Sequence, residues 1–406
     1  MRRIKIPDDV KYIIDTLEAD GFEAYAVGGC VRDSLLGMCP NDWDICTLAL
    51  PDQTKGCFAG GHIIETGLKH GTITLVLGHT PYEITTYRTD GKYTDNRRPD
   101  KVRFVNVLKR DLARRDFTIN ALAYNPKTGL TDYYGGLTDL REGRIKCVGN
   151  AGKRFREDAL RIMRALRFAS VFGFAIETDT AKAMRENKKL LCNISAERIA
   201  AELNKLLTGG GVRDILSEYT EIITEIIPEF KREALSRTLR GVECAPKDTV
   251  IRLAVFLRGF GAETAEKILK RLKYDKKTIK TVALLVCCHD FEIINSGTYI
   301  KRWLNKIGAE KFRQLLEVKK AVIMAEAQEF GEDRSDALKK LIESLDEIIE
   351  QKQCFSLENL AVNGRDLIDA GVPEGAEIGE ILKKLLDMVI DDKAKNDKAV
   401  LLEIVK

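Results

Sequence analysis

Two aspartates separated by a single residue, Asp42 and Asp44, are the side chains that first suggest a chemistry for this sequence. In a β-strand, residues i and i+2 point to the same face and lie about 6.6–6.8 Å apart along the chain. Two carboxylates so placed can bracket a pair of Mg²⁺ ions, which typically lie about 3.5–4 Å apart in enzymes that transfer nucleotidyl groups in line. Isolated pairs of this kind are also common in turns and on surfaces, so the neighbouring residues must decide.

A glycine turn precedes the aspartates. A β-rich run at residues 25–27 ends in Gly28 and Gly29, and a short helical pattern that contains Arg32 follows. Glycine lets the backbone approach a phosphate closely, and the N–H groups of a helix start together with an arginine form an anion site. Such a turn is usually structural when it stands alone. The ten-residue spacing from Arg32 to Asp42 favours the phosphate-binding interpretation.

A third carboxylate, Glu83, lies in a second β-rich run. The alternation of the strand places Glu83 on the face opposite to Tyr82 and Ile84. On a neighbouring strand it would complete the metal site and join Asp42 and Asp44 as a catalytic carboxylate. The alternative is an ordinary glutamate on an exposed strand face.

These residues resemble a known family. The pattern from Gly28 to Gly37, followed by Asp42-x-Asp44, is similar to the signature of the bacterial class II tRNA nucleotidyltransferases (CCA-adding enzymes) and their poly(A) polymerase relatives, within the polymerase-β-like superfamily. Residues 114–123 resemble the second motif of that family. Residues 132–140 resemble its linking motif, with Tyr133 where the family commonly has proline; this departure concerns a hinge more than the chemistry.

The resemblance implies an activity and residue roles. Arg115 is expected on the triphosphate, and Asp116 and Asn120 near the ribose. The expected reaction is template-independent, Mg²⁺-dependent addition of C, C and A to the 3′ end of tRNA from CTP and ATP, with release of pyrophosphate. Residues 195–207 resemble a structural motif of the family, and residues 360–389 resemble the tail that grips the tRNA.

Asp158, Arg161, Arg164 and Arg167 recur every three residues, which predicts one stripe on a helix. Three arginines on one stripe repel each other unless an anion lies there. The Asp158 carboxylate can accept a hydrogen bond from the amino group of cytosine or adenine. The neighbouring Arg161 guanidinium can donate to the ring nitrogen of the same base. Guanine and uracil would leave buried polar groups unpaired, at about 1–3 kcal/mol each. In the family the matching pair is understood as an amino-acid template, with Arg164 and Arg167 also near the nucleotide; the alternative is an ion pair on a solvated helix face.

Other functions remain open at this point. An A-adding enzyme or a poly(A) polymerase would use the same metals for a different product. His289-Asp290 suggests an HD phosphohydrolase, but the other three histidines lie within residues 62–79 and leave that site without ligands. A non-catalytic RNA-binding protein has no reason to place Asp42 and Asp44 near phosphates.

The polar segment at residues 89–101 joins the strand of Glu83 to the next β-rich run. We expect it to reshape the pocket when the enzyme passes from C to A. In the family, enzymes that add only CC carry a shortened version of this loop, which is intact in length here. The alternative is a surface loop without a role in catalysis.

The elements that must position these residues change near residue 154. Before it, short β-rich runs alternate with glycine, proline and Asp/Asn turns; after it, long helical periodicity dominates. We therefore predict an α+β protein with a small mixed α/β nucleotidyltransferase head followed by an all-helical neck, body and tail. The expected boundaries are 1–150 for the head, 151–215 for the base-recognising neck, 216–345 for an RNA-binding body and 346–406 for a tRNA-binding tail.

Composition supports a nucleic-acid partner. The chain has 406 residues, of which 44% are hydrophobic and 32% charged, and its net charge of +4 divides into +1 for residues 1–150, +9 for 151–345 and −6 for 346–406. A basic middle suits a polyanion such as RNA, although lysines on solvated helices would give the same sum. The sequence contains no apolar run of about 18 residues and no CxxC, so we expect a cytoplasmic protein with reduced cysteines. The sequence leaves the oligomeric state open.

Overall fold

The computed structural model of the chain describes residues 4–65, 67–91, 102–230, 235–330 and 335–405. The chain divides into two compact units, Met1–Lys231 and Arg232–Lys406. The first unit combines a β-sheet with helices, whereas the described part of the second unit contains helices without strands. The predicted α+β class is therefore confirmed.

A seven-stranded mixed sheet is the centre of the first unit. The strands of this unit are β1 (Ala24–Val27), β2 (Asp44–Thr47), β3 (His62–Ile64), β4 (Thr72–Leu77), β5 (Thr80–Thr86), β6 (Arg88–Asp90), β7 (Val102–Phe104), β8 (Leu122–Asn125), β9 (Gly129–Asp132), β10 (Arg144–Ile145) and β11 (Ala175–Ile176). The spatial order in the sheet is β3-β4-β5-β2-β1-β8-β9. Only β2 and β5 run parallel in it. The strands β6 and β7 pair with each other, as do β10 and β11.

Both faces of the sheet are covered, because alternate residues of its central strands enter different cores. Ala26 and Ile45 join the apolar cluster that includes helix α1 (Asp8–Ala19). Val27 and Cys46, one position further along the same strands, belong to a second cluster. The two-residue period of the strands thus fixes the register, since a slip by one residue would exchange the two faces.

The described part of the first unit contains ten further α-helices: α2 (Gly29–Leu35), α3 (Pro51–Cys57), α4 (Leu108–Ala113), α5 (Gly136–Arg141), α6 (Ala151–Glu157), α7 (Leu160–Phe172), α8 (Thr178–Asn187), α9 (Ala196–Leu207), α10 (Val212–Glu218) and α11 (Thr220–Ile226). Helix α7 carries three of the residues that the sequence assigned to base recognition, namely Arg161, Arg164 and Arg167. The side chain of Asn150 caps α6 by accepting a hydrogen bond from the backbone of Lys153.

The second unit is built from helices α12 (Leu235–Cys244), α13 (Thr249–Leu257), α14 (Ala262–Arg271), α15 (Lys276–Cys288), α16 (Gly297–Ile307), α17 (Ala309–Phe330), α18 (Ser335–Glu350), α19 (Gly364–Asp369), α20 (Ala376–Ile390) and α21 (Lys398–Val405). Asp248 and Asp275 cap α13 and α15. The last three helices share an apolar cluster that extends from Cys354 to Leu401. Within the described residues, no helix is long and apolar enough to cross a membrane.

Three local predictions were wrong. The region after residue 151 is not entirely helical, because β11 pairs in parallel with β10. Asp42 does not lie on a strand, since β2 begins at Asp44. Asp158 does not lie within a helix but between α6 and α7, with φ −140° and ψ 104°. The four-part division of the chain stays a prediction.

Candidate active site

The glycine turn brings a guanidinium group against the backbone. Gly28 follows β1 with φ +84° and ψ −127°, a conformation that only glycine adopts without strain. A Cβ atom at this position would lie 2.7 Å from Nη1 of Arg115. Glycine is therefore required here for the backbone conformation, and a side chain at this position would displace the end of the Arg115 side chain.

Three carboxylates meet at the edge of strands β2 and β5. The parallel register pairs Asp44 directly with Glu83, and Asp42 precedes Asp44 by two residues in the segment that leads into β2. All three residues are exposed, whereas Tyr82 and Ile84 are buried. The predicted alternation around Glu83 and its place beside Asp44 are confirmed, although Asp42 reaches the site from outside the strand.

These carboxylates influence each other electrostatically. Partial burial, followed by the charge of Asp42, raises the pKa of Asp44, and the charge of Arg115 opposes this rise. Burial and then the charges of Asp44 and Asp42 raise the pKa of Glu83, against the effect of Arg88. Among the described residues, none forms a hydrogen bond or ion pair with these three carboxylate groups. The site therefore carries negative charge that the surrounding side chains do not neutralise.

The carboxylates do not by themselves form a complete metal cage. In the described part of the chain, no three Asp, Glu, His or Cys side chains are arranged to hold a metal ion. This fits a cation such as Mg²⁺, which proteins usually bind through one or two carboxylates while water and substrate phosphates supply the other ligands.

Asp116 and Asn120 form a buried polar network that is joined to Arg32. Asp116 accepts hydrogen bonds from Nε of Arg164 at 2.8 Å and from the side chain of Asn120 at 3.0 Å. Burial alone would raise the pKa of Asp116, but Arg164 and the Asn120 amide together hold it well below its ordinary value. The carboxylate is therefore charged, and its position is fixed by two partners.

Arg32 is more enclosed than the sequence suggested. Its guanidinium donates to Asp33 at 2.8 Å and to Oδ1 of Asn120, and it lies 4.9 Å and 4.8 Å from the ring centres of Phe168 and Phe172. The side chain is 8% exposed. Arg32 thus connects the helix after the glycine turn to α7, and its phosphate-binding role stays a prediction.

Asp158 and Arg161 do not pair with each other, so the ion pair between them on a helix face, which was the alternative interpretation, is not formed. Asp158 accepts from the backbone of Leu160 at 3.1 Å and pairs with Arg198 of α9 at 2.9 Å. Arg161 pairs with Glu157 at 3.0 Å. The predicted stripe is therefore wrong for Asp158, because the chain leaves the helix there and directs the carboxylate toward a different arginine. Both residues nevertheless remain within one small polar region.

Arg164 and Arg167 also have protein partners. Arg164 pairs with Asp116 at 2.6 Å, and Arg167 pairs with Glu202 of α9 at 3.2 Å. The guanidinium of Arg167 lies 4.0 Å from the ring centre of Phe168, and that of Arg164 lies 5.3 Å from it. The anions that separate these arginines are thus carboxylates of the protein itself.

Three regions of the chain match models of known families. Residues 24–146 match the poly A polymerase head domain, residues 173–233 match the probable RNA and SrmB-binding site of polymerase A, and residues 248–405 match the putative tRNA nucleotidyltransferase domain 2. The CCA-adding enzyme of Lactococcus lactis subsp. cremoris (strain MG1363) is 38% identical over 100% of this chain and 98% of its own length. The CCA-adding enzyme of Lactobacillus delbrueckii subsp. bulgaricus (strain ATCC 11842) is 36% identical over 97% and 96%. The chain belongs to the CCA-adding enzymes.

A solved CCA-adding enzyme has the same architecture. The Bacillus stearothermophilus CCA-adding enzyme in complex with CTP is 32% identical and superposes with a TM-score of 0.76 over 99% of this chain and 97% of that one. The Thermotoga maritima CCA-adding enzyme complexed with tRNA, at 22% identity and a TM-score of 0.68, shares the fold. The family resemblance inferred from the motifs is therefore confirmed. Enzymes of this kind generally use divalent metal ions.

Sequence reasoning missed several polar residues of this CCA-adding enzyme. Glu202 was assigned only to a structural helix, yet it is 7% exposed and pairs with two arginines. The spacing of Glu202 from the buried Ile199 and Leu206 could have predicted this pairing, because a carboxylate on the apolar face of an amphipathic helix requires a charged partner. Arg198 and Glu157 carried no such signal, since both occupy ordinary helix positions.

Two other sequence features lie apart from the site. The ring of His289 bonds to the carbonyl of Val286 at the end of α15, and the Asp290 side chain is 93% exposed and 3.6 Å from Lys319. Within the described residues no metal-binding group is arranged around this pair, so an HD phosphohydrolase site is not formed. Of the loop expected to switch the pocket from C to A, residues 92–101 lie outside the described residues.

Proposed function

We propose that this chain adds C, C and A in sequence to the 3′ end of tRNA from CTP and ATP, without a nucleic-acid template and with release of pyrophosphate. The observation that carries the proposal is the register of β2 and β5, which places Asp44 beside Glu83 and next to the Arg115 guanidinium at the glycine turn. Full-length similarity to CCA-adding enzymes supports tRNA as the partner.

We propose Mg²⁺ as the metal, with Asp42 and Asp44 as its protein ligands and Glu83 beside them. The unneutralised carboxylates and the lack of a complete protein cage both suit a hard cation whose remaining ligands are water and phosphate. When bound, the metal activates the attacking hydroxyl and neutralises charge on the triphosphate in an in-line displacement.

Around that centre, each group of the protein has a separate task. Gly28 and Gly29 let the backbone approach the triphosphate, and Arg115 balances its charge, with Arg32 fixing the helix behind the turn. Asp116 and Asn120 are proposed to face the ribose. Because Asp116 and Asn120 are already held in place, they need little reorganisation on binding, which is the advantage of a preorganised site.

Base selection is proposed to use Asp158 and Arg161, with Arg164 and Arg167 nearby. In this structure Asp158 pairs with Arg198 and Arg161 pairs with Glu157. A cytosine or adenine can replace those partners with an amino donor for the carboxylate and a ring acceptor for the guanidinium. Guanine or uracil would place a carbonyl against the carboxylate, which is unfavourable by about 1–3 kcal/mol for each unpaired group.

Residues 1–150 would then act as the catalytic head, 151–215 as the neck that reads the base, 216–345 as an RNA-binding body and 346–406 as a tail that binds the tRNA. The basic charge of residues 151–345 supports RNA contact there. We propose a cytoplasmic location, where tRNA and nucleoside triphosphates are available.

The decisive experiment incubates purified protein with Mg²⁺, labelled CTP and ATP, and tRNA that ends at the discriminator base, after C or after CC. Products are sized one nucleotide at a time. We expect C, C and A on the first substrate. Addition of A only to the tRNA ending in CC would indicate an A-adding enzyme, and long A tracts would indicate a poly(A) polymerase; either result would overturn the proposal.

A further inference from the structure

We propose that Asp111 is a positioning residue for nucleotide binding, because its buried carboxylate holds the Arg115 guanidinium beside the glycine turn. The inference rests on the proposed function, in which Arg115 contacts the triphosphate. Asp111 lies in the short helix α4, and Arg114 and Arg115 follow it at the i+3 and i+4 spacings that bring side chains together.

The carboxylate of Asp111 is fully buried, with 0% exposure. Its Oδ1 accepts from the backbone N–H of Arg88 at 3.1 Å and from Nε of Arg114 at 3.0 Å, and Nη2 of Arg114 lies 3.0 Å from the same oxygen. A buried carboxylate is strongly unfavourable without such partners. Arg114 and the backbone N–H of Arg88 therefore compensate the buried carboxylate of Asp111 and hold it in place.

The second oxygen faces Arg115. Oδ2 of Asp111 lies 3.8 Å from Nη2 of Arg115, which is an ion pair but not a hydrogen bond. Among the described residues, Oδ2 of Asp111 and Nε of Arg115 are both buried without a hydrogen-bond partner, and none accepts a hydrogen bond from the Arg115 guanidinium. The arginine is thus held by charge while its donors remain available for an anionic ligand.

The same carboxylate links two parts of the site. Arg88 is the first residue of β6 and lies two residues beyond the end of the strand that carries Glu83, so its hydrogen bond to Asp111 ties this part of the chain to the helix before Arg115. On the other side, the carbonyl of Arg114 accepts from Arg161 at 3.0 Å. Asp111 accordingly acts through Arg115 on the triphosphate, and among the described residues no hydrogen bond or ion pair joins it to Asp42, Asp44 or Glu83.

The test is Asp111→Asn, which keeps the shape and an acceptor for Arg88 but removes the charge. KM for CTP and for ATP, and the Kd of each nucleotide with Mg²⁺, should rise by about tenfold, as expected when a charge-assisted contact loosens. kcat and the preference for CTP and ATP over UTP and GTP should change little, because the contact is made equally in the ground and transition states. Glu18→Gln is the matched control: its carboxylate pairs with Asn125 and Lys127, and nucleotide KM and Kd should not change.

A double-mutant cycle separates positioning from folding. If Asp111 acts through Arg115, then Asp111→Asn should weaken nucleotide binding no further in an Arg115→Ala background. Should Asp111→Asn fail to fold, Asp111→Asn with Arg114→Gln removes both buried charges and provides the same readout. Unchanged Kd in a folded variant, or equal losses with and without Arg115, would overturn the inference. A wild-type protein that binds CTP without incorporating it would refute the proposed function, while the Kd values would still test the role of Asp111.

Discussion

Replacement of Gly28 by alanine tests how the glycine turn and Arg115 cooperate. The backbone at Gly28 has φ +84°, and a Cβ there would lie 2.7 Å from Nη1 of Arg115. Two separable effects follow. The backbone strain lowers stability, whereas the collision displaces the end of a flexible side chain and thereby alters nucleotide binding.

The magnitudes follow from the geometry. A non-glycine residue in so sparsely populated a conformation costs about 1–3 kcal/mol, which lowers the unfolding temperature of a unit of this size by about 2–12 °C. To reach ordinary contact, Nη1 of Arg115 must retreat by about 0.7 Å, from 2.7 Å to 3.4 Å. Such a shift takes a hydrogen bond of about 2.8 Å out of range, with a loss of about 1.5–3 kcal/mol, or about 10- to 150-fold in KM for either nucleotide.

The assay combines thermal unfolding with steady-state incorporation of CTP and ATP. Gly37→Ala is the matched control, because Gly37 has φ +76° and a Cβ atom added there would meet none of the described residues within 4 Å. The control should lose stability but keep nucleotide KM. If both variants change KM equally, or if Gly28→Ala keeps the wild-type KM, the close approach of Arg115 to the turn has no role in binding.

Four further predictions concern the site. Asp42→Ala and Asp44→Ala should each lower incorporation by more than about 10³-fold while tRNA binding survives, since affinity comes mainly from basic side chains; substantial turnover in a filter assay would refute the metal assignment. Arg161→Ala should lower the rate and reduce discrimination against UTP and GTP by about 5- to 150-fold, and unchanged competition kinetics would place base choice elsewhere. The pKa of Asp116 lies below its ordinary value of 3.8, so its arginine partner stabilises the fold above pH 3.8. This stabilisation is lost as the pH falls further. The unfolding midpoint of Asp116→Asn should therefore depend less on pH than that of the wild type between about pH 5 and pH 3. Deletion of residues 91–98 should leave both C additions near normal and block the final A, whereas equal slowing of all three steps would contradict a switching role.

Local patterns predicted much of the head. The strand β1 contains the predicted run at residues 25–27, and the alternation around Glu83 placed it on the correct face. Such features depend on neighbouring residues alone, which a period of two or a glycine turn reveals. The parallel pairing of Asp44 with Glu83 joins residues 39 positions apart. The alternation of buried and exposed residues can favour that pairing, but the pairing itself depends on the order of the strands in the folded sheet.

The partners of the arginines could not be predicted in the same way. The recurrence of charged residues at 158, 161, 164 and 167 suggested one helix, because a spacing of three does not reveal a break between helices. Glu202 lies 35 residues beyond Arg167 in the sequence and meets it only after α7 and α9 pack together. Ion pairs across helices depend on that packing, so composition and periodicity leave them undetermined.

These ion pairs reduce the repulsion between the clustered arginines. The sequence suggested that clustered arginines require an anionic ligand, but Glu157, Asp116 and Glu202 already compensate the positive charge. Under the proposed function, a nucleotide therefore enters a site of paired charges and must exchange partners. Breaking these ion pairs is favourable only when the base supplies a new hydrogen-bond partner for each charged group. A buried charge left without a partner is less favourable than the original ion pair. Under the proposed function, the ion pair between Asp158 and Arg198 makes base selection stricter than a carboxylate without a partner would. A base without an amino donor cannot replace Arg198, so the ion pair is more favourable than binding of that base.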